Sequence, residues 1–340
     1  MSISLTLDNF KKGIVVIPTQ GLGNRLRMLA CTYALCRKFN LKMFINWEPA
    51  PECAILLHEL LDNNANQSIY SIITPQILNN NNQKYLFHGL VHAEQFINNL
   101  SNIPENYDYL VIMGGHEFKL KSMHMNELFY YKNEFYQSIK YSEVVNAELS
   151  NYDNYLNRNY IGIHYRGIQQ AFDSADINNP KFISKPYNPV DFTINSPITE
   201  FLDIIRRLKS NLPLLIISNT PENIINLIKS EFPNKEILNT FPSKFERNNS
   251  DAIISSFVDM ILLSRSKLII GTYYSSFSDE AALFSCVPKI TPISDFIKSN
   301  PKLSEGYHCY GYGIYTTFNN YIYFGLYMSN YHMIKYFNPL

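Results

Sequence analysis

The chain has no surplus of charge of either sign. Lys and Arg total 29, Asp and Glu total 29, and charged residues are only 17% of 340. A nucleic-acid binder ordinarily shows a basic excess, so that class is disfavoured. The balance says nothing against a small anion held by two or three placed cations. No run approaches the ~20 apolar residues of a membrane helix. Apolar runs such as 14–17 and 212–217 have the length of buried strands. The N-terminal stretch lacks the basic-then-apolar order of a signal peptide. Cysteine is scarce, odd in number and irregularly spaced: Cys31, Cys36, Cys53, Cys286 and Cys309, with no CxxC. Reduced thiols in a cytosol fit this better than a disulfide framework. These absences predict a soluble, cytoplasmic protein with no membrane span.

Missing motifs narrow the chemistry further. There is no Gly-Lys-Ser/Thr, so no Walker A loop, and no complete GxGxxG dinucleotide fingerprint. There is no G-x-S-x-G nucleophile elbow. No Asp-x-Asp occurs, so the common metal-binding motif of metal-dependent glycosyltransferases is absent. His88 and His92 stand four apart, a metal-pair spacing on a helix, with no third ligand in evidence. No metal site is expected.

What is present reads as a globular α/β chain. Hydrophobic residues make up 46%, enough for a core, and the length suits two domains or one large one. Apolar, β-branched segments at 13–17, 42–46, 109–113, 160–164, 212–218 and 267–271 read as strands. Helical patterns fall at 24–39, 54–61, 197–210, 221–231, 252–263 and 279–284. This alternation predicts α/β layers with mostly parallel sheets. The polar stretch 151–159 precedes a new strand and marks the boundary, giving domains at 1–155 and 156–300 and a Tyr-rich tail at 301–340. The tail's alternating aromatics fit a hairpin packed on the body, or a sugar-stacking surface.

Four segments carry candidate chemistry. Thr19-Gln20-Gly21-Leu22-Gly23-Asn24-Arg25-Leu26-Arg27 follows a strand and opens a helix. Its glycines allow close backbone approach and the helix start offers N–H groups to an anion. It reads equally as a tight turn, with Asn24 capping the helix. His164-Tyr165-Arg166-Gly167 ends a strand, so His164 and Arg166 point the same way, and an Arg there suits a phosphate. In Ser218-Asn219-Thr220-Pro221, Thr220 and Pro221 open a helix, which leaves Asn219 over at the strand end. In Thr272-Tyr273-Tyr274-Ser275-Ser276-Phe277-Ser278-Asp279, Ser276 and Asp279 fit a capping box. The same loop can also present hydroxyls and N–H groups to a pyrophosphate.

Together these motifs resemble the fucosyltransferase superfamily of GT-B fold: the bacterial nodulation and core α-1,6-fucosyltransferases and the protein O-fucosyltransferases. The Gly21 to Leu26 loop, followed by Trp47-Glu48-Pro49 and Cys53, is similar to bacterial and viral members. His164-Tyr165-Arg166 resembles the family's His-x-Arg, and 249–282, with Asp259, Leu263 and Ser275-Ser276, its third motif. The resemblance implies two Rossmann-like domains facing a central cleft and a nucleotide-sugar donor, most often GDP-fucose. It implies inverting, metal-independent transfer to a glycan or other hydroxyl acceptor. By the same resemblance Arg166 would hold the donor β-phosphate, His164 would contact the nucleotide, and Ser275 and Ser276 would bind pyrophosphate. Gly21, Gly23, Asn24 and Arg25 would approach the donor from the other domain, and Asn219 stands where many members carry Asp. An inverting transfer needs a base on the acceptor hydroxyl. Asp173 and Asp176 are the candidates, Asp173 preferred. Two departures stand out. Gly167 occupies the place of a second arginine, a cation that Arg25, Arg27 or Lys185 would have to supply. No acidic residue that reads guanine is recognisable, although Asn239 and Asp251 lie nearby. Another nucleotide-sugar donor, or a non-catalytic glycan- or nucleotide-binding protein of the same fold, stands as the alternative.

Overall fold

The computed structural model describes residues 10–75, 85–90, 107–120, 123–167, 192–240, 247–295, 314–318 and 321–325. The chain divides into two units. One comprises Met1–Glu148 and Arg247–Phe257, the other Leu149–Glu246 and Val258–Leu340.

In the first unit, β1 (Phe10–Pro18), β2 (Met43–Ile45), β3 (Ser71–Ile72), β4 (Tyr85–Leu90) and β5 (Tyr107–Gly114) form one sheet in the order β3-β2-β1-β5-β4. Every pairing is parallel. β1 lies in the middle, and Ile14, Val15 and Val16 are all buried. A parallel strand covered on both faces reads as a continuous apolar run, which is how 13–17 appears in the sequence. The helix Leu22–Phe39 follows β1 and is buried along nearly its whole length from Leu22 to Cys36. The segment Arg247–Phe257 joins this unit by contacts of its own. Ala54 N–H donates to the Arg247 carbonyl at 3.1 Å, and Phe257 meets Tyr141 edge-on at 5.4 Å.

In the second unit, β6 (Ile161–Tyr165), β7 (Leu214–Ser218), β8 (Ile237–Asn239), β9 (Leu268–Gly271) and β10 (Lys289–Ile290) are again all parallel, in the order β10-β9-β6-β7-β8. The helix Ile198–Leu208 buries Phe201, Leu202, Ile204, Ile205 and Leu208 against Ile161, Ile163, Leu214 and Ile216 of the sheet. In each unit the first strand sits mid-sheet. The chain builds outward on one side of it, then switches to the other. Open α/β sheets take ligands at the carboxyl ends of strands beside such a switch. Here that is between β1 and β5, and between β6 and β9.

The expected strands fall on β1, β2, β5, β6, β7 and β9, and the alternating α/β grammar is the architecture found. The expected helix at 54–61 shrinks to the single turn Leu57–Leu60. His88 lies in β4, not on a helix, so the four-residue spacing to His92 loses its geometric basis. His92 lies outside the described residues. The Tyr-rich tail does contain a hairpin, β11 (Ile314–Phe318) against β12 (Tyr321–Gly325). Among the described residues no helix is long and apolar enough to cross a membrane. Cys31, Cys36, Cys53 and Cys286 form no disulfide.

Candidate functional site

The glycine loop of the first unit lies at its sheet switch. Thr19 N–H donates to the Gly114 carbonyl at 2.8 Å, joining the end of β1 to the end of β5. Gln20 takes a left-handed conformation, φ 68°, and Gly21 caps the helix without a side-chain bond. Asn24 is therefore not the cap: it lies within the first turn and donates to Gln20 Oε1 at 2.7 Å. Arg25 is only 2% exposed. Its Nε donates to the Gln20 carbonyl at 2.8 Å and its guanidinium to the Glu48 carbonyl at 2.7 Å, and it lies over the Trp47 ring at 4.8 Å. Arg25 is thus the physical link between the Gly21 to Leu26 loop and Trp47-Glu48. Trp47 donates to the Ile55 carbonyl at 2.9 Å. Burial pushes the Cys53 thiol up to about 11, outweighing the opposing pull of Arg25 and Arg247. Such a thiol packs rather than reacts.

In the second unit one residue, Thr272, stitches the ends of β6 and β9. Its N–H and its hydroxyl both donate to the His164 carbonyl at 3.0 Å. Its Oγ1 also accepts the Arg166 N–H at 3.0 Å. His164 is buried and stacks on Phe277 at 4.8 Å and 19°. Arg166 lies over Phe192 with 3.9 Å to the ring centroid. Stacking occupies a guanidinium's face, whereas hydrogen bonds are made in its plane, so a stacked Arg suits a planar clamp on phosphate. Burial first, then the positive charges of Arg166 and Lys289, hold His164 well below the usual 6.5. It is a neutral imidazole at pH 7, and its Nδ1 has no partner among the described residues.

Ser275, not Ser276, is the N-cap of the helix Ser276–Phe284, and its side chain makes no capping bond. The expected capping box of Ser276 and Asp279 does not form. The Asp279 carboxylate is instead paired with Lys289, both buried. Ser275 is 2% exposed, and its Oγ has no partner among the described residues. Tyr274 before it is left-handed, φ 59°, a conformation costly for a bulky side chain. Asn219 Oδ1 accepts the Gly167 N–H at 2.8 Å. Thr220 stands at the N-cap with Pro221 at the first helical position, as the sequence predicts, though the Thr220 side chain does not cap. Asp173, Asp176 and Lys185 lie outside the described residues.

The sequence did not single out Phe192, Phe277 or Lys289. Phe277 and Phe192 act on His164 and Arg166, residues distant in sequence, and Lys289 reaches Asp279 from the next strand, so no local pattern marks their roles. Among the described residues no group of three or more His, Cys, Asp or Glu side chains is placed to hold a metal.

The backbone decides the comparison with known structures. NodZ, an α-1,6-fucosyltransferase co-crystallised with GDP, aligns with a TM-score of 0.53 at 14% identity, over 83% of this chain and 95% of its own. The fold is that of the fucosyltransferases. NodZ from Bradyrhizobium in its selenomethionine form gives 0.56 at 14%, over 83% and 94%. A mutant FUT1 of Arabidopsis thaliana in complex with GDP gives 0.53 at 13%, over 83% and 70%. POFUT1 in complex with GDP gives 0.51 at 13%, over 82% and 98%. No family model matches the chain and no curated protein matches it in sequence. The fucosyltransferase fold, with a five-stranded parallel sheet in each unit, is the α/β, GT-B fold class that the resemblance implies.

Proposed function

We propose that the protein is a glycosyltransferase of the fucosyltransferase kind, inverting and metal-independent, with GDP-fucose as donor and a glycan or other hydroxyl as acceptor. The observation that carries this is the β6–β9 switch. There a stacked arginine, a neutral histidine and a cap serine, the last two with a ring nitrogen and a hydroxyl that have no partner among the described residues, lie at or just after the carboxyl ends of adjacent parallel strands. NodZ, FUT1 and POFUT1, which share the fold, bind GDP in their own structures.

Departure of a nucleoside diphosphate builds negative charge, and preorganised dipoles and cations lower that barrier most. Arg166 meets this charge in the plane of its guanidinium. Ser275, Ser276 and the N-terminus of their helix face the pyrophosphate. His164 accepts from or donates to the nucleotide through Nδ1. Asp173 takes the acceptor proton. Gly21, Gly23 and Asn24 approach the donor, while Arg25 holds their loop. The described cysteines, which form no disulfide, fit a reducing compartment such as the cytosol.

The test is calorimetric titration of GDP, UDP, ADP and CMP without metal, on wild type and Arg166→Ala, followed by transfer from GDP-fucose. GDP-selective binding is expected. Arg166→Ala should cut transfer roughly 100-fold or more, and in the same assay Asp173→Asn should keep GDP binding and lose turnover. UDP selectivity would replace the donor, and binding of none by the folded protein would leave a non-catalytic protein of this fold.

A further inference from the structure

Beyond Tyr165 the chain leaves the sheet, and the amides of Arg166 and Gly167 have no ladder to join. Buried or half-buried N–H groups need partners, and each finds one on a different loop. Arg166 N–H goes to Thr272 Oγ1 at 3.0 Å, on the turn after β9. Gly167 N–H goes to Asn219 Oδ1 at 2.8 Å, on the turn after β7. Both acceptors are themselves held. The Thr272 hydroxyl donates to the His164 carbonyl, which fixes the lone pair offered to Arg166. Ser218 Oγ accepts the Thr220 N–H at 3.0 Å, which tightens the turn that carries Asn219.

The approach at Gly167 is close. A Cβ there would lie 1.7 Å from Thr220 Oγ1 and 2.9 Å from Thr220 Cβ. No side chain fits position 167 while Thr220 stands where it does. The missing second arginine is therefore a consequence of this packing: the amide must come in to reach Asn219, and Thr220 fills the space a side chain would need.

We infer that Asn219 and Thr272 are positioning residues that grip the backbone on either side of Arg166 and so set where its guanidinium points. Asn219 then serves the ligand through Gly167 and Arg166, with its carbonyl oxygen committed to the protein. This rests on the reading of Arg166 as the phosphate-binding group. A displacement of about 1 Å at such a group can cost on the order of 100-fold.

The experiment is a double-mutant cycle read with GDP and with inorganic pyrophosphate as probes, joined to amide hydrogen exchange over 164–167. Asn219→Ala is expected to weaken both probes by about 10- to 100-fold in the wild-type background. In the Arg166→Ala background it should change them less than about 2-fold. Asn219→Asp, which keeps an acceptor oxygen, should recover most of the affinity, as should Thr272→Ser relative to Thr272→Val. Exchange at 166–167 should rise in Asn219→Ala and Thr272→Val. Equal losses in both backgrounds would mean Asn219 touches the ligand itself, and would overturn the inference. Thr272 is fully buried, so if Thr272→Val fails to fold, Asn219→Ala, on a part-exposed turn, carries the test. If Arg166→Ala binds pyrophosphate like wild type, the phosphate reading of Arg166 is what fails. The exchange data then judge the grip alone, and unchanged exchange overturns it.

Discussion

Thr32 Oγ1, His164 Nδ1 and Ser275 Oγ are buried and have no partner among the described residues. An unmet buried hydroxyl costs roughly 1–3 kcal/mol of desolvation, so each needs a reason. Thr32 sits inside the long helix of the first unit, fully buried, away from either sheet switch. His164 and Ser275 sit at one. That difference separates a packing cost from a binding group. Thr32→Val and Ser275→Ala should both raise the free energy of unfolding by about 1 kcal/mol, read by urea denaturation. Only Ser275→Ala should also weaken GDP. If both variants bind GDP as wild type does, Ser275 is not a ligand group. The residue scale was legible where chemistry is local. His164, Arg166, Ser275 and Asn219 stand out by type and by place at strand ends. What each one touches was not, because Phe277, Phe192 and Lys289 are set by the fold.

At the scale of the element, both candidate loops share one construction. A parallel strand ends, a non-glycine residue turns left-handed (Gln20, Tyr274), the next residue (Gly21, Ser275) is an N-cap with no side-chain capping bond, and the helix starts one residue later. The strand and helix periods were readable because the core is apolar and regular. The helix Met125–Ser138 was not, since its sequence is rich in aromatics, which carry only middling helix propensity and favour strands. The capping box failed because the cap falls one residue earlier than the spacing assumed: counted from Ser275, the reciprocal position is Ser278, not Asp279. Asp279 pairs instead with Lys289, whose side chain passes over Gly271, where a Cβ would lie 2.7 Å from Lys289 Cε. In the first loop Arg25 does the fastening, through two carbonyls and the Trp47 face. Lysine has neither the fork nor the planar face to replace all three. Arg25→Lys should therefore destabilise the protein by about 2 kcal/mol. Chemical denaturation should show this. An unchanged midpoint would mean the loop is held by other contacts.

For the whole molecule, His164 gives acid stability a buried lever. His164 is held neutral when folded, with its pKa pulled below 6.5 by burial and by Arg166 and Lys289. Below pH 6.5 the unfolded chain takes up a proton that the folded one refuses. This contribution to stability is therefore complete above about pH 6.5 and is lost as pH falls toward the folded value. Relative to His164→Phe, wild type should lose up to about 1.4 kcal/mol per pH unit in that window. Parallel slopes for the two proteins in urea titrations from pH 7 to 5 would contradict it. In the sequence the boundary falls at 155/156, in the polar stretch 151–159; the units change at Leu149, and nothing local in the sequence reveals that Arg247–Phe257 returns to the first one. That return bears on how the protein is made. A ribosome releases the chain from its N-terminus at about 5–20 residues per second. The first sheet is complete once Gly114 has emerged, yet the unit it belongs to lacks its final segment until Phe257 follows. At that rate the nascent first unit waits about 7–29 seconds between its last strand and its last segment, an interval in which residues 149–246 of the second unit are made.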